Sequence, residues 1–87
     1  MSPKTLRQLK DELSDLYAPP LRAPATWYPI RQVLEEMDRA GIQMVSELQP
    51  PAIARWIKAH PDRGAMTIKK LLGSLRAACS YAVQMRY

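Results

Sequence analysis

The sequence has little of what most catalytic and metal sites need. Its 87 residues include one cysteine, Cys79, one histidine, His60, and three scattered glycines. A lone cysteine excludes an intramolecular disulfide, and a lone histidine leaves no cluster for a structural zinc ion. No glycine-rich phosphate loop is present, and no nucleophile has a histidine and an acid at a recognisable spacing. We therefore expect no catalytic residues, no metal and no cofactor, and a binding module rather than an enzyme.

Long apolar runs are also missing. No stretch approaches the ~18 uninterrupted apolar residues of a membrane span, and the polar start Met1-Ser2-Pro3-Lys4 lacks the apolar run of a signal peptide. Hydrophobic residues make up 47% of the chain and charged residues 24%, which is typical of a folded domain. We expect one soluble, cytoplasmic domain over residues 1–87, with one modest core and no membrane partner.

Positive charge is concentrated in one half of the chain. The net charge is +5. Residues 1–47 carry six Lys or Arg against seven Asp or Glu, a net −1, whereas residues 48–87 carry seven bases against Asp62 alone, a net +6. Such asymmetry in a small domain favours a polyanionic partner, and nucleic acid is the commonest one. The plainer alternative is a solvated basic surface.

The spacing of apolar residues predicts four helices, at about 5–17, 26–40, 50–59 and 67–85. Thr5 with Gln8 forms a capping-box pattern at the first helix start. Thr26 and Thr67 are expected to cap the second and fourth helices, with Pro29 in the first turn of the second. The sum is an all-α bundle of four helices, with the last helix as its spine.

Each helix has an expected core face. From the first helix to the fourth, the expected core residues are Leu6, Leu9, Leu13 and Leu16; Trp27, Ile30, Leu34 and Met37; Ile53, Trp56 and Ile57; and Ile68, Leu71, Leu72, Leu75, Ala78, Cys79, Ala82 and Val83. The other face of the fourth helix carries small residues after two lysines, among them Gly73. A mid-helix glycine costs about 1 kcal/mol relative to alanine, so close approach is indicated, either to the ~12 Å major groove of DNA or to another helix.

Other distinctive residues have plainer interpretations. His60, before a proline, is expected to end a helix at the surface. The acidic group Glu35, Glu36 and Asp38 reads as a solvated face, or as a contact for a basic partner. Tyr28 and Tyr81 fall on exposed faces and are better placed to touch a ligand.

Two long runs resemble a known family. Residues 45–57 read VSELQPPAIARWI, and residues 65–83 read AMTIKKLLGSLRAACSYAV. Their order and spacing resemble the core-binding domain of tyrosine recombinases, the phage integrases. The positions that match the helix pattern of that family are Thr67, Leu72, Leu75, Tyr81 and Ala82. The stretch from Thr26 through Ile30 to Leu34 is similar to the second helix of the family.

The resemblance implies a SAM-like four-helix module that forms one half of a clamp around DNA. In that family, helices two and four face the recombination half-site, and a catalytic domain follows. The chain would stop about where the linker begins, so the catalytic set would be missing and Tyr87 would not be the nucleophile. Implied partners are double-stranded DNA, the missing catalytic domain and neighbouring recombinase protomers, in a bacterial or phage-encoded system.

The predicted DNA contacts combine helix starts, bases and exposed polar groups. Helix N-termini and basic side chains hold phosphates, which gives affinity and register but little sequence information. Base edges are expected to meet Tyr28, Lys70 and Ser74. The whole predicted set is Arg22, Thr26, Tyr28, Arg31, Arg63, Thr67, Lys69, Lys70 and Ser74.

Two other functions remain open on the sequence. A helix-turn-helix regulator would use the third and fourth helices, although residues 60–66 are longer than the usual 3–4-residue turn. A helical protein-interaction module would use the small-residue face to dock a partner helix.

Overall fold

The structure is a computed structural model that describes residues 4–21 and 23–87. It contains α1 (Leu6–Tyr17), α2 (Pro24–Arg39), α3 (Pro50–Lys58) and α4 (Ala65–Gln84), with a one-turn 3₁₀ helix at Val45–Glu47. The predicted all-α bundle of four helices is confirmed. Among the described residues, no helix combines the length and the apolar character needed to cross a membrane. Arg22, a predicted DNA contact, lies outside the described residues.

Both ends of α1 follow the sequence signals. The amide of Gln8 donates to Thr5 Oγ1 at 3.1 Å, and the amide of Thr5 donates to Gln8 Oε1 at 2.9 Å. The predicted capping box is therefore confirmed. The helix ends at Tyr17, because a residue that precedes a proline, here Ala18, is sterically driven from the helical to the extended conformation.

The start of α2 differs from the prediction. Ala23 is the N-cap and Pro24 is the first helical residue, so the predicted cap by Thr26 is wrong. Proline favours the first helical position because its ring already holds a helical φ and its missing N–H has no partner to lose there. Thr26 is the third residue of the helix, where its amide donates to the carbonyl of Ala23 at 2.9 Å. Pro29 consequently lies inside α2 rather than in its first turn.

The start of α4 differs in the same direction. Gly64 is the N-cap, and Ala65 opens the helix, so the predicted cap by Thr67 is also wrong. The amide of Ile68 donates to the carbonyl of Gly64 at 3.1 Å, which closes the first turn two residues before the predicted one. Because an N-cap needs extended backbone more than it needs a side-chain acceptor, glycine competes there with threonine.

The core forms where α2 packs against both α1 and α4. Its fully buried members come from all four helices and from Ile42 in the connection after α2. Two expected core residues are wrong: Leu16 is 48% exposed and Val83 is 77% exposed. Along α4 the buried stripe is narrower than predicted and consists of Leu71, Leu75, Ala78 and Ala82. Val83 follows Ala82 by about 100° around the helix and so leaves the core.

Glu36 of α2 forms an ion pair with Arg63, in the loop before α4, and accepts a hydrogen bond from α3. Arg63 Nη1 donates to Glu36 Oε1 at 2.6 Å, and Arg63 Nη2 donates to Glu36 Oε2 at 2.8 Å. The buried indole of Trp56 in α3 also donates to Glu36 Oε1, at 3.1 Å. The interpretation of Glu36 as part of a solvated face is wrong, because its side chain is only 10% exposed. The hydrogen bonds from Arg63 lower the pKa of Glu36 from 4.5 to about 2.

A second carboxylate, Glu12, ties the end of α4 to α1. The hydroxyl of Tyr81 donates to Glu12 Oε2 at 3.0 Å, and the hydroxyl of Tyr87 donates to the same oxygen. Lys4 Nζ lies 2.9 Å from Glu12 Oε1 and 4.5 Å from the ring centre of Tyr87. The expectation of an exposed Tyr81 is therefore wrong. Burial, followed by the bond to Glu12, raises the pKa of Tyr81 to about 12.

Replacing Gly73 tests whether the fold needs this glycine. A Cβ at Gly73 would have no atom within 4 Å beyond its own stretch of helix. We expect Gly73→Ala to raise the free energy of unfolding by about 1 kcal/mol through helix propensity alone, and the melting temperature by about 4–8 °C. The matched reverse change, Ala77→Gly at an exposed position one turn further on, should lower both by similar amounts. A lower melting temperature for Gly73→Ala would show an internal role for the glycine.

Replacing Glu36 tests the ion pair with Arg63. We expect Glu36→Gln to lower the free energy of unfolding in urea by about 2–3 kcal/mol at neutral pH, because hydrogen bonds to a charged acceptor are lost. The control is Glu35→Gln, since Glu35 meets three bases at 3.5–3.7 Å near the surface and should cost under about 1 kcal/mol.

The same pair predicts how stability depends on pH. The pKa of Glu36 is about 2 in the folded chain and 4.5 ordinarily, so its contribution is complete above about pH 4.5 and is lost as the pH falls through about 2. Urea titrations of wild type should therefore lose stability across this window, and Glu36→Gln should lose less. An equal loss in both proteins would show that other carboxylates dominate.

Candidate nucleic-acid interface

Ion pairs occupy the basic side chains of α1 and α2. Glu35 alone meets Lys10 at 3.5 Å, Arg31 at 3.5 Å and Arg39 at 3.7 Å. Arg7 lies 3.1 Å from Asp38. With the pair between Lys4 and Glu12, every described base from residue 4 to residue 39 lies beside an acidic side chain.

The basic residues of α3 and α4 are different. Six exposed bases have no ion pair with any described residue: Arg55, Lys58, Lys69, Lys70, Arg76 and Arg86. All six belong to the half of the chain that carries the net +6. The fold therefore keeps the charge asymmetry of the sequence, because the unopposed cations lie on α3, on α4 and at Arg86.

The predicted contacts on α4 occupy two flanks of the helix. At about 100° per residue, Thr67, Lys70 and Ser74 lie within about 60° of one another. Thr67 and Lys70 are exposed and Ser74 is half-buried. Lys69 lies about 100° from Lys70, on the flank that faces α3. The structure thus brings together a hydroxyl-and-lysine group suited to phosphate oxygens and places Lys69 beside it rather than within it.

Arg63 has a structural partner that the sequence did not reveal. Its side chain is 22% exposed, and its guanidinium donates two hydrogen bonds to Glu36 and lies 5.9 Å from the ring centre of Trp56. Glu36 neutralises this charge, so Arg63 adds little positive potential at the surface. The hydrogen bonds that the guanidinium donates to Glu36 also raise the pKa of Arg63.

The predicted contacts on α2 lie in a surface of mixed charge. The guanidinium of Arg31 lies 5.7 Å from the ring centre of Tyr28, which is 53% exposed. Both line a depression of about 310 Å³ that also includes Glu35 and Arg39. Thr26 is exposed in the first turn of the helix. These residues lie together at one surface, but a different depression contains Lys69.

A groove runs between α3 and α4. It has a volume of about 650 Å³ and is lined by Ile57, Arg63, Ala65, Ile68, Lys69, Leu72, Gly73 and Arg76. Three basic residues near α3 and α4 were not among the predicted contacts, namely Arg55, Lys58 and Arg76. The count of charges in residues 48–87 included all three, but only the folded structure shows that Arg76 lines the groove with Lys69.

Comparisons of the chain with protein-family models, with curated proteins and with solved structures found no match. Among the described residues, no group of three His, Cys, Asp or Glu side chains is placed to hold a metal ion. What the interface offers is a set of exposed ammonium, guanidinium and hydroxyl groups, which suit the oxygens of a polyanion. An assignment of function therefore depends on the charge distribution and on the resemblance carried by the sequence.

Proposed function

We propose that this domain binds double-stranded DNA as the core-binding module of a tyrosine recombinase, while a separate catalytic domain performs strand exchange. The observation that carries the proposal is the set of six exposed bases between residues 55 and 86 that have no ion pair with a described residue. The described bases of residues 4–39 each lie 2.9–3.7 Å from an acidic side chain, so the positive field of the described residues comes mainly from these six bases. Polyanions are drawn to such a field, and phosphate contacts dominate the affinity of DNA-binding modules.

The surface of α4 supports a close approach to DNA. Lys70 and Thr67 would hold phosphate oxygens near the start of the helix, and Lys70 and Ser74 would reach base edges. A Cβ at Gly73 would have open space around it, so packing within the described chain does not require a glycine at this position. Small residues at Gly73 and Ala77 leave room for a partner that lies against the helix. In this proposal Arg63 is only a positioning residue, because its charge is already paired with Glu36.

On α2, the predicted contacts form a second region in this proposal. The resemblance to recombinases implies that helices two and four both face the half-site. Tyr28 and Thr26 are exposed and available to a ligand. Arg31 is 52% exposed and 3.5 Å from Glu35, so it would exchange a weak surface ion pair for a phosphate.

The connection between α3 and α4 weighs against a helix-turn-helix regulator. α3 ends at Lys58 and α4 begins at Ala65, which leaves six residues between them. A helix-turn-helix motif joins its helices through about 3–4 residues. The observed spacing therefore does not favour a helix-turn-helix regulator.

Replacing Lys69 and Lys70 tests the proposal. We expect Lys69→Ala/Lys70→Ala to weaken binding to a short duplex at low salt and to reduce the slope of log K against log [salt] by about 2, since each neutralised phosphate contributes about 0.9. Fluorescence anisotropy of a labelled duplex over a salt series gives the slope.

A charge-matched variant serves as the control. Arg7→Ala/Arg39→Ala also removes two exposed bases, but both are paired with acids of α2. Its slope should stay close to that of wild type, provided that circular dichroism shows both variants folded. Equal losses in the two variants would show that net charge alone accounts for the effect, and a wild-type affinity that does not change with salt would overturn DNA binding through phosphates.

A residue-resolved titration tests the predicted surface. With a labelled domain and a short duplex at low salt, we expect amide chemical shifts to change at 23–31 and 63–77, and the changes to diminish as salt is raised. Shifts confined to the acidic end of α2, residues 35–39, would contradict the DNA-binding proposal. Such a pattern would favour the helical protein-interaction module instead.

A further inference from the structure

We propose that the groove between α3 and α4 is a docking site for an acidic, amphipathic peptide segment of a protein partner. The apolar side chains of the segment would contact the floor of the groove, and its carboxylates would contact the basic rim. This inference goes beyond DNA binding and does not depend on it.

The floor of the groove is aliphatic and only partly covered. Ile57 from α3 and Ile68 and Leu72 from α4 are half-buried, whereas the core residues of the same helices are at most 5% exposed. The apolar flank continues along α4 to Cys79, which is half-buried, and to Val83, which is 77% exposed. Covering such surface is favourable by about 25 cal/mol per Å², so an apolar partner would gain stability here.

The rim of the groove is basic. Lys69 and Arg76 lie two turns apart on α4, and both are exposed without an ion pair to a described residue. Lys58 follows Ile57 in α3 and is also exposed without an ion pair to a described residue, but it does not line the groove. Arg63 completes the lining, and no acidic residue contributes to it. The charge complementary to this rim is negative.

The combination of floor and rim distinguishes a peptide from DNA. A DNA backbone would satisfy the rim but would place charged phosphate oxygens against aliphatic carbon, where nothing replaces their hydration. An acidic amphipathic helix satisfies both, since one stripe is apolar and its borders carry carboxylates. Helix-in-groove recognition of this kind uses apolar anchors at i, i+3 or i+4, and i+7.

Gly73 provides a way to close the groove without disturbing the fold. It lies on the α4 wall of the groove, and a Cβ there has open space around it. We therefore expect Gly73→Glu to fold, to place a carboxylate in the groove and to repel an acidic ligand. Ala77→Glu makes the same charge change at an exposed position of α4 outside the groove lining and is its matched control.

The test is a fluorescence anisotropy titration with three labelled peptides of about 15 residues, a length at which a helix becomes stable enough to dock. The probe carries leucines at i, i+3, i+7 and i+10 with glutamates beside them. One control peptide has serines in place of the leucines, and the other has lysines in place of the glutamates. We expect only the probe to bind wild type, at least tenfold weaker binding to Gly73→Glu, and binding to Ala77→Glu within about twofold of wild type.

Several outcomes would overturn the proposal. Equal binding of the serine peptide would show attraction by charge alone, and equal weakening by Ala77→Glu would place the peptide elsewhere. Self-association that competes with the probe, seen by sedimentation, would make a second copy of the chain the occupant. Loss of duplex binding in Gly73→Glu without any binding of the probe would assign the groove to DNA. If Gly73→Glu fails to fold, Arg76→Glu at the exposed rim gives the same readout.

Discussion

The bidentate ion pair between Glu36 and Arg63 holds in place α3 and α4, the helices that carry most of the proposed binding surface. α3 has nine residues, and a helix of that length is marginal without tertiary contacts. Its main anchor is Trp56, whose ring is buried and whose indole donates to Glu36. Arg63 reaches the same carboxylate from the loop before α4. One side chain of α2 thus sets the position of α3 and the direction in which α4 begins, and the groove exists between these two helices.

The acids of α1 and α2 also determine where positive charge remains. Glu36 neutralises Arg63, Glu35 is shared by three bases, and Glu12 is shared by Lys4 and two tyrosines. Bonds from Tyr87 first, and then from Lys4, lower the pKa of Glu12, so it remains an anion that holds the two ends of the described chain together. The sequence has nearly equal numbers of acids and bases in residues 1–47, and the fold pairs most of them with one another. The bases of α3 and α4 have no such partners among the described residues.

Apolar periodicity predicted the existence and order of all four helices because each one must bury a stripe against its neighbours. Helix starts were less predictable: Thr26 and Thr67 are good caps by residue type, but Pro24 and Gly64 satisfy the backbone requirement earlier in the chain. The burial of Glu36 is not predictable from the sequence, because this residue stands in a run of acids that is typical of a solvent-exposed face. Its turn of about 100° from Glu35 brings it to α3, and only the packed structure shows the indole and guanidinium there.

Lys69 and Lys70 are adjacent in α4 but lie on the two flanks of the helix that carry the two proposed binding surfaces. Lys70 lies on the flank of Thr67 and Ser74, whereas Lys69 lies about 100° away, on the groove. An acidic segment in the groove would neutralise Lys69 and Arg76 and cover Gly73, which the DNA-binding proposal also uses, and would leave Lys70 open. Its carboxylates would lie on the flank next to Lys70 and would oppose the phosphates of bound DNA there. Docking of the segment would therefore weaken DNA binding electrostatically, and by linkage DNA would weaken docking by the same factor.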